Sequence, residues 1–147
     1  MPHQRYGRPR GVLEAALAAL AAQGIAVECA SPIIASLPLG PSRRCYANAA
    51  AVVRTDLLPE ELLECLKTIE AGFGQRRGQR WASRVLDLDI VLWSGGAWGS
   101  SQLTIPHPAF RMRRFVLQPA AAIAPHWRDP ITGLTLRQLL ARLKRMP

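Results

Sequence analysis

The chain has 147 residues, 49% of them hydrophobic, and its 19 Lys and Arg against 10 Asp and Glu give a formal net charge of +9. That size and apolar content suit one globular domain over residues 1–147 with a core of its own, and no run approaches the ~20 consecutive apolar residues of a membrane span. Cys29, Cys45 and Cys65 contain no CxxC pair and offer neither a disulfide framework nor a zinc site. The positive charge attracts acidic partners without choosing among them, and no basic stripe interleaved with aromatic residues singles out nucleic acid.

Arg5, Arg8 and Arg10 precede an apolar run, but the run has helical periodicity and no clear cleavage site, so the expected location is the cytoplasm. Val12, Leu13, Ala16, Leu17 and Leu20 share one face of a helix expected over 9–23, with Gly24 closing it. The stretches 25–34 (IAVECASPII) and 46–55 (YANAAAVVRT) read as strands, separated by SLPLGPSRRC, whose prolines and glycine exclude a regular element. A second helix is expected to begin at Pro59, with Glu60 and Glu61 at the positive end of its dipole and Leu62, Leu66, Ile69 and Phe73 on its buried face. The basic loop GFGQRRGQR leads into a strand at RWASRVLDLDIVLW, residues 80–93. A Gly/Ser connector (SGGAWGSSQ), the segment LTIPHPAFRMRRFVLQP and an amphipathic helix near 135–145 complete the chain. This order suggests an α+β sandwich with helices packed on a mainly antiparallel sheet, ferredoxin-like but lacking a first strand before helix one.

In the strand at 86–93, alternation places Leu86, Leu88, Ile90 and Leu92 on one face and Asp87, Asp89, Val91 and Trp93 on the other. Two carboxylates about 7 Å apart on one face repel, which calls for positive charge nearby, from a divalent metal or from arginines. A solvated outer face of an edge strand is the alternative. The pair suits magnesium that keeps several waters and also holds substrate phosphates. Arg77, Arg80, Arg84, His107, Arg111, Arg113 and Arg114 lie around it in sequence. With the Walker and protein-kinase motifs missing, carboxylates for metal and a basic loop for phosphate still make a minimal phosphoryl-transfer kit.

The segment RW-x-x-R-x-LDLDI, from Arg80 to Ile90, is similar to the signature of the 6-hydroxymethyl-7,8-dihydropterin pyrophosphokinase family of folate biosynthesis. SLPLG with Tyr46-Ala-Asn48 resembles that family's pterin loop, Ile69-Glu70 with the basic loop resembles its catalytic loop, and LTIPHPAFRMRRFVL resembles its nucleotide segment. The resemblance implies transfer of pyrophosphate from ATP to the pterin hydroxymethyl group, by a monomer that binds neither nucleic acid nor membrane. It assigns Arg77, Arg84, Asp87 and Asp89 to catalysis, the two aspartates holding two Mg²⁺. Ser36, Leu37, Leu39, Tyr46, Asn48, Trp81 and Phe115 fall to the pterin, with Tyr46 and Phe115 sandwiching its ring. Glu70, Arg77, Trp81, Arg84, Ile90, Thr104, His107 and Arg113 fall to the nucleotide. Phe115 as ordinary core is the alternative for that position.

Two arginines usual in the family are replaced, by Gln75 in the catalytic loop and Gln102 before LTIPH. The alternatives to the enzyme are a catalytically impaired or dead descendant and a basic RNA-binding module on a ferredoxin-like sheet. The resemblance also carries the expectation that Met1 is internal to a longer reading frame whose preceding strand ends in a Gly-Ser-Asn-like segment.

Overall fold

The computed structural model describes residues 9–36, 46–74 and 86–146. Helix α1 runs Pro9–Ala22, and Val12, Ala16 and Leu20 are its buried stripe. Gly24 ends it with φ +81°, its amide donating to the Ala21 carbonyl and that of Ile25 to Leu20, the reciprocal pair of a Schellman cap. Helix α2 runs Pro59–Gly74, as the proline and the two glutamates predict. The Leu58 amide, left without an intrahelical partner, donates to the Glu61 carboxylate at 2.9 Å.

The two predicted strands each break in two. Strands β1 (Ala26–Ala30) and β2 (Ile34–Ser36) come from the first, β3 (Tyr46–Asn48) and β4 (Ala51–Arg54) from the second. β1 pairs antiparallel with β4, and β2 with β3, as separate ladders. The break sits at a buried knot. Ser31 donates its amide to the Ala50 carbonyl, while its Oγ accepts the Ala50 amide at 2.9 Å and donates to Pro32. Pro32 and this side-chain bond replace ladder bonds at the point where an uninterrupted strand was expected.

The expected strand around Asp87 and Asp89 is likewise corrected, since residues 86–92 belong to no ladder among the described residues. The described residues form three two-stranded ladders instead of one antiparallel sheet, the third joining β5 (Trp98–Gly99), in the Gly/Ser connector, to β6 (Thr104–Ile105), in the LTIPHP segment. Both β4 and residues 87–92 line a cavity of about 460 Å³ instead of pairing with one another. The coarse class, α+β with small antiparallel sheets and helices packed on them, stands.

Beyond β6 a 3₁₀ turn, Phe110–Met112, leads into helix α3, Arg114–Ile123, an element that the sequence pattern does not announce. Helix α4, Leu136–Arg145, is entered through a capping box in which Thr135 and Gln138 satisfy each other's backbone amides. Two cores result. One joins α1, α2, Ile25 and Leu86; the other joins Phe110, Leu117 and Ala121 to Leu136 and Leu139.

Candidate active site

Residues 86–92 tie the two cores together. Leu86 is buried in the first, Leu88 and Ile90 pack against it, and Val91 and Leu92 pack against the second. The alternation expected of a strand thus holds as far as Ile90 without a ladder to enforce it, and leaves Asp87 and Asp89 exposed on the opposite side. A carboxylate fixes the backbone between them. Glu70, from the last turns of α2, accepts the Leu88 amide at 2.6 Å, a short charge-assisted bond.

From the other side, the His107 amide donates to the Val91 carbonyl at 3.0 Å. The imidazole Nδ1 accepts the Ala109 amide at 3.2 Å, so in the neutral ring the proton resides on Nε2. That nitrogen stands 3.9 Å from Asp89 Oδ2, too long for a hydrogen bond and close enough for a charge to be felt. The turn after His107 brings Arg113, whose guanidinium lies 5.8 Å from the Phe115 ring centroid. Phe115 is 49% exposed, which removes the alternative that it is ordinary core.

The cavity gathers these groups. Asn48, Asp87, Asp89, Ile90, Arg113 and Phe115 all line it, against an apolar background supplied by α1 and β4. Six of the residues named from sequence thus meet at one concavity, with His107 joined to it through Asp89 and Glu70 through Leu88. Thr104 lies on β6, exposed, and is not among the lining residues. Ser36 and Tyr46 are opposite one another in the β2–β3 ladder. Leu37, Leu39, Arg77, Trp81 and Arg84 lie outside the described residues.

Chemically the site offers hard oxygen donors, a guanidinium, an imidazole N–H and an exposed aromatic face over an apolar floor. Among the described residues no group of three or more His, Cys, Asp and Glu side chains converges as a closed metal cage. Magnesium does not require one, since it commonly takes one or two carboxylates and fills its remaining positions with water and phosphate oxygens, so the Asp pair fits it.

The chain matches the family model described as 7,8-dihydro-6-hydroxymethylpterin-pyrophosphokinase (HPPK) over residues 5–125. It belongs to that family. The HPPK match takes in Asn48, Glu70, the aspartate pair, His107, Arg113 and Phe115. Curated relatives agree, each named 2-amino-4-hydroxy-6-hydroxymethyldihydropteridine pyrophosphokinase. The protein of a Synechocystis species is 42% identical over 132 residues, covering 89% of this chain and 68% of the relative. That of Pseudomonas aeruginosa is 41% identical over 112 residues, 76% of this chain and 68% of the relative. That of Methylorubrum extorquens is 42% identical over 98 residues, 67% of this chain and 61% of the relative.

One group went unread in the sequence because its partners are far apart along the chain. Asp129, completely buried, takes both nitrogens of a bidentate fork from Arg111, together with the Thr132 hydroxyl and the Ile131 amide. The Arg111 hydrogen bonds, outweighing the opposing effect of burial, hold the Asp129 carboxyl down at about 2. Arg111 is raised in turn, chiefly by the same hydrogen bonds. The DPITG sequence signals a turn built on an aspartate side chain, but nothing local announces that Arg111 completes it.

Proposed function

We propose that this chain, as one pyrophosphokinase domain, transfers the intact pyrophosphoryl group of ATP to 6-hydroxymethyl-7,8-dihydropterin in folate biosynthesis. The hydroxymethyl oxygen attacks the β-phosphorus, the bond from that phosphorus to the α,β-bridging oxygen breaks, and AMP departs while the hydroxyl proton is released. The observation that carries the reading is the convergence of Asp87, Asp89, Arg113, Phe115 and Asn48 on one cavity in a member of this family.

Positioning and charge neutralisation supply most of the catalysis in such a transfer. Asp87 and Asp89 would hold magnesium, which when bound would draw charge from the phosphate oxygens. Arg113 and the Nε2–H of His107 donate to those oxygens, and Glu70 keeps the segment carrying the aspartates in place. Phe115 offers its face to the flat pterin ring, and Asn48 pairs with the polar edge of that ring. Arg77, Arg84 and Trp81 complete the nucleotide side, and Tyr46, with the segment from Ser36 to Leu39, completes the pterin side. An RNA-binding sheet is not favoured, because such a surface needs aromatics on adjacent strands, whereas Phe115 belongs to α3 and lines this cavity.

Calorimetry with a non-hydrolysable ATP analogue and the pterin, with and without magnesium, tests the proposal. Magnesium-dependent nucleotide binding that enhances pterin binding is expected. Binding of either ligand indifferent to magnesium would count against the Asp pair as the metal site.

A further inference from the structure

The buried Asp129–Arg111 pair lies outside the cavity, and Asp129 lies beyond the family match, which ends at residue 125. Its position in the chain gives it a use. Arg111 belongs to the single 3₁₀ turn that separates His107 from Arg113, and that turn is closed by weak backbone bonds of 3.2 to 3.3 Å: Phe110 to His107, Met112 to Ala109 and Arg113 to Phe110. His107 is tied to Val91 and Arg113 to the start of α3, but the three residues between them have only these bonds of poorer geometry to keep the two in register. The fork does so from outside. Both oxygens of Asp129 are engaged by Arg111, whose guanidinium also lies 4.8 Å from the ring centroid of fully buried Phe110. Asp129 is itself fixed, since its amide donates to Leu134, its carbonyl accepts from Gly133, and the loop ends in the capped start of α4.

We propose that Asp129 is a positioning residue which, through Arg111, sets the 107–113 turn and thereby places His107 and Arg113 for the phosphates of the nucleotide. The phosphate-binding part rests on the pyrophosphokinase reading above. The fixing of the turn does not.

The test separates positioning from stability. Replacing both partners at once, Arg111→Met with Asp129→Leu, removes the fork without leaving a buried charge, and apolar replacement of a buried ion pair is commonly neutral or stabilising. The double variant should melt near the parent. Amide hydrogen exchange at Met112 and Arg113 should nevertheless accelerate roughly tenfold while Leu139 in α4 keeps its protection, and the apparent KM for ATP should rise roughly tenfold with that for the pterin little changed. Arg111→Lys, which keeps charge but loses the planar fork, should fall between. Parent-like exchange at Met112 and Arg113 would overturn the proposal, as would protection lost equally across α4, which marks a purely structural pair. Accelerated exchange at the turn with an unchanged KM for ATP would also overturn it. If the parent binds no nucleotide, the functional reading fails by itself while the exchange measurement still decides whether Asp129 fixes the turn.

Discussion

Removal of the Glu70 carboxylate should loosen the aspartate segment before it weakens anything else. Glu70→Ala deletes one charge-assisted bond of 2.6 Å to the Leu88 amide, a class worth about 1.5–3 kcal/mol. Glu70 and Leu88 are only partly buried, so water can reach the vacated amide, and the lower end, about 1.5 kcal/mol, applies. For a chain of this length that corresponds to a melting shift of about 5 °C. Glu70→Gln keeps an acceptor oxygen without the charge and should lose less than half as much. The distinguishing assay is amide exchange combined with kinetics. In Glu70→Ala, exchange at Leu88 should quicken and the magnesium concentration for half-maximal turnover should rise, both largely rescued in Glu70→Gln. If the alanine variant kept parental exchange at Leu88 and parental magnesium dependence, the bond would not be holding the aspartates and the reasoning would fail. If glutamine rescued exchange but not turnover, Glu70 would act on the nucleotide directly through its charge.

Asp87→Ala and Asp89→Ala should each lower turnover at least about 10²-fold while the fold, followed by circular dichroism, is retained; turnover within a few-fold of the parent would remove these carboxylates from catalysis. The Asp129 carboxyl lies at about 2 in the fold against the usual 3.8, so its stabilisation, about 2 kcal/mol, is fully present above about pH 4 and is lost as pH falls through 2. Urea unfolding of Asp129→Asn should lack that part of the acid-side slope, and a slope equal to the parent's would refute the assignment. Phe115→Ala should raise the KM for the pterin with little change in melting temperature, because the ring is 49% exposed; a large stability loss would return Phe115 to a packing role.

What could be read from the sequence divides along the distance between interacting residues. The ends of α1 and the start of α2 are local matters, settled by Gly24, Pro59 and the glutamates that follow it, and they fall where periodicity and capping put them. The break in each predicted strand is not local, because Ser31 and Ala50 meet only when the chain folds back. Helix α3 is masked in the sequence by Pro119 in its interior, which argues against a helix on propensity, and by the basic RMRR run at its start, where positive charge opposes the helix dipole. The Leu–Asp alternation gave the correct faces at 86–90, yet faces alone do not establish pairing, and the packing of Leu86, Leu88 and Ile90 on α1 and α2 holds them without a ladder. At the site, resemblance named Asn48, the aspartates, Arg113 and Phe115, and the cavity collects them. The supports beneath them, Glu70 on the Leu88 amide and Asp129 on Arg111, join residues 18 positions apart: the resemblance names Glu70 for the nucleotide and DPITG signals a turn on Asp129, but nothing local announces the partner of either.

The products distinguish pyrophosphoryl transfer from every other use of ATP. Incubated with ATP, magnesium and 6-hydroxymethyl-7,8-dihydropterin and followed by ³¹P nuclear magnetic resonance, the protein should form AMP and a pterin diphosphate in equal amounts, with no turnover when magnesium is chelated. Formation of ADP, or consumption of ATP that is indifferent to the pterin, would contradict transfer of an intact pyrophosphoryl group at this site.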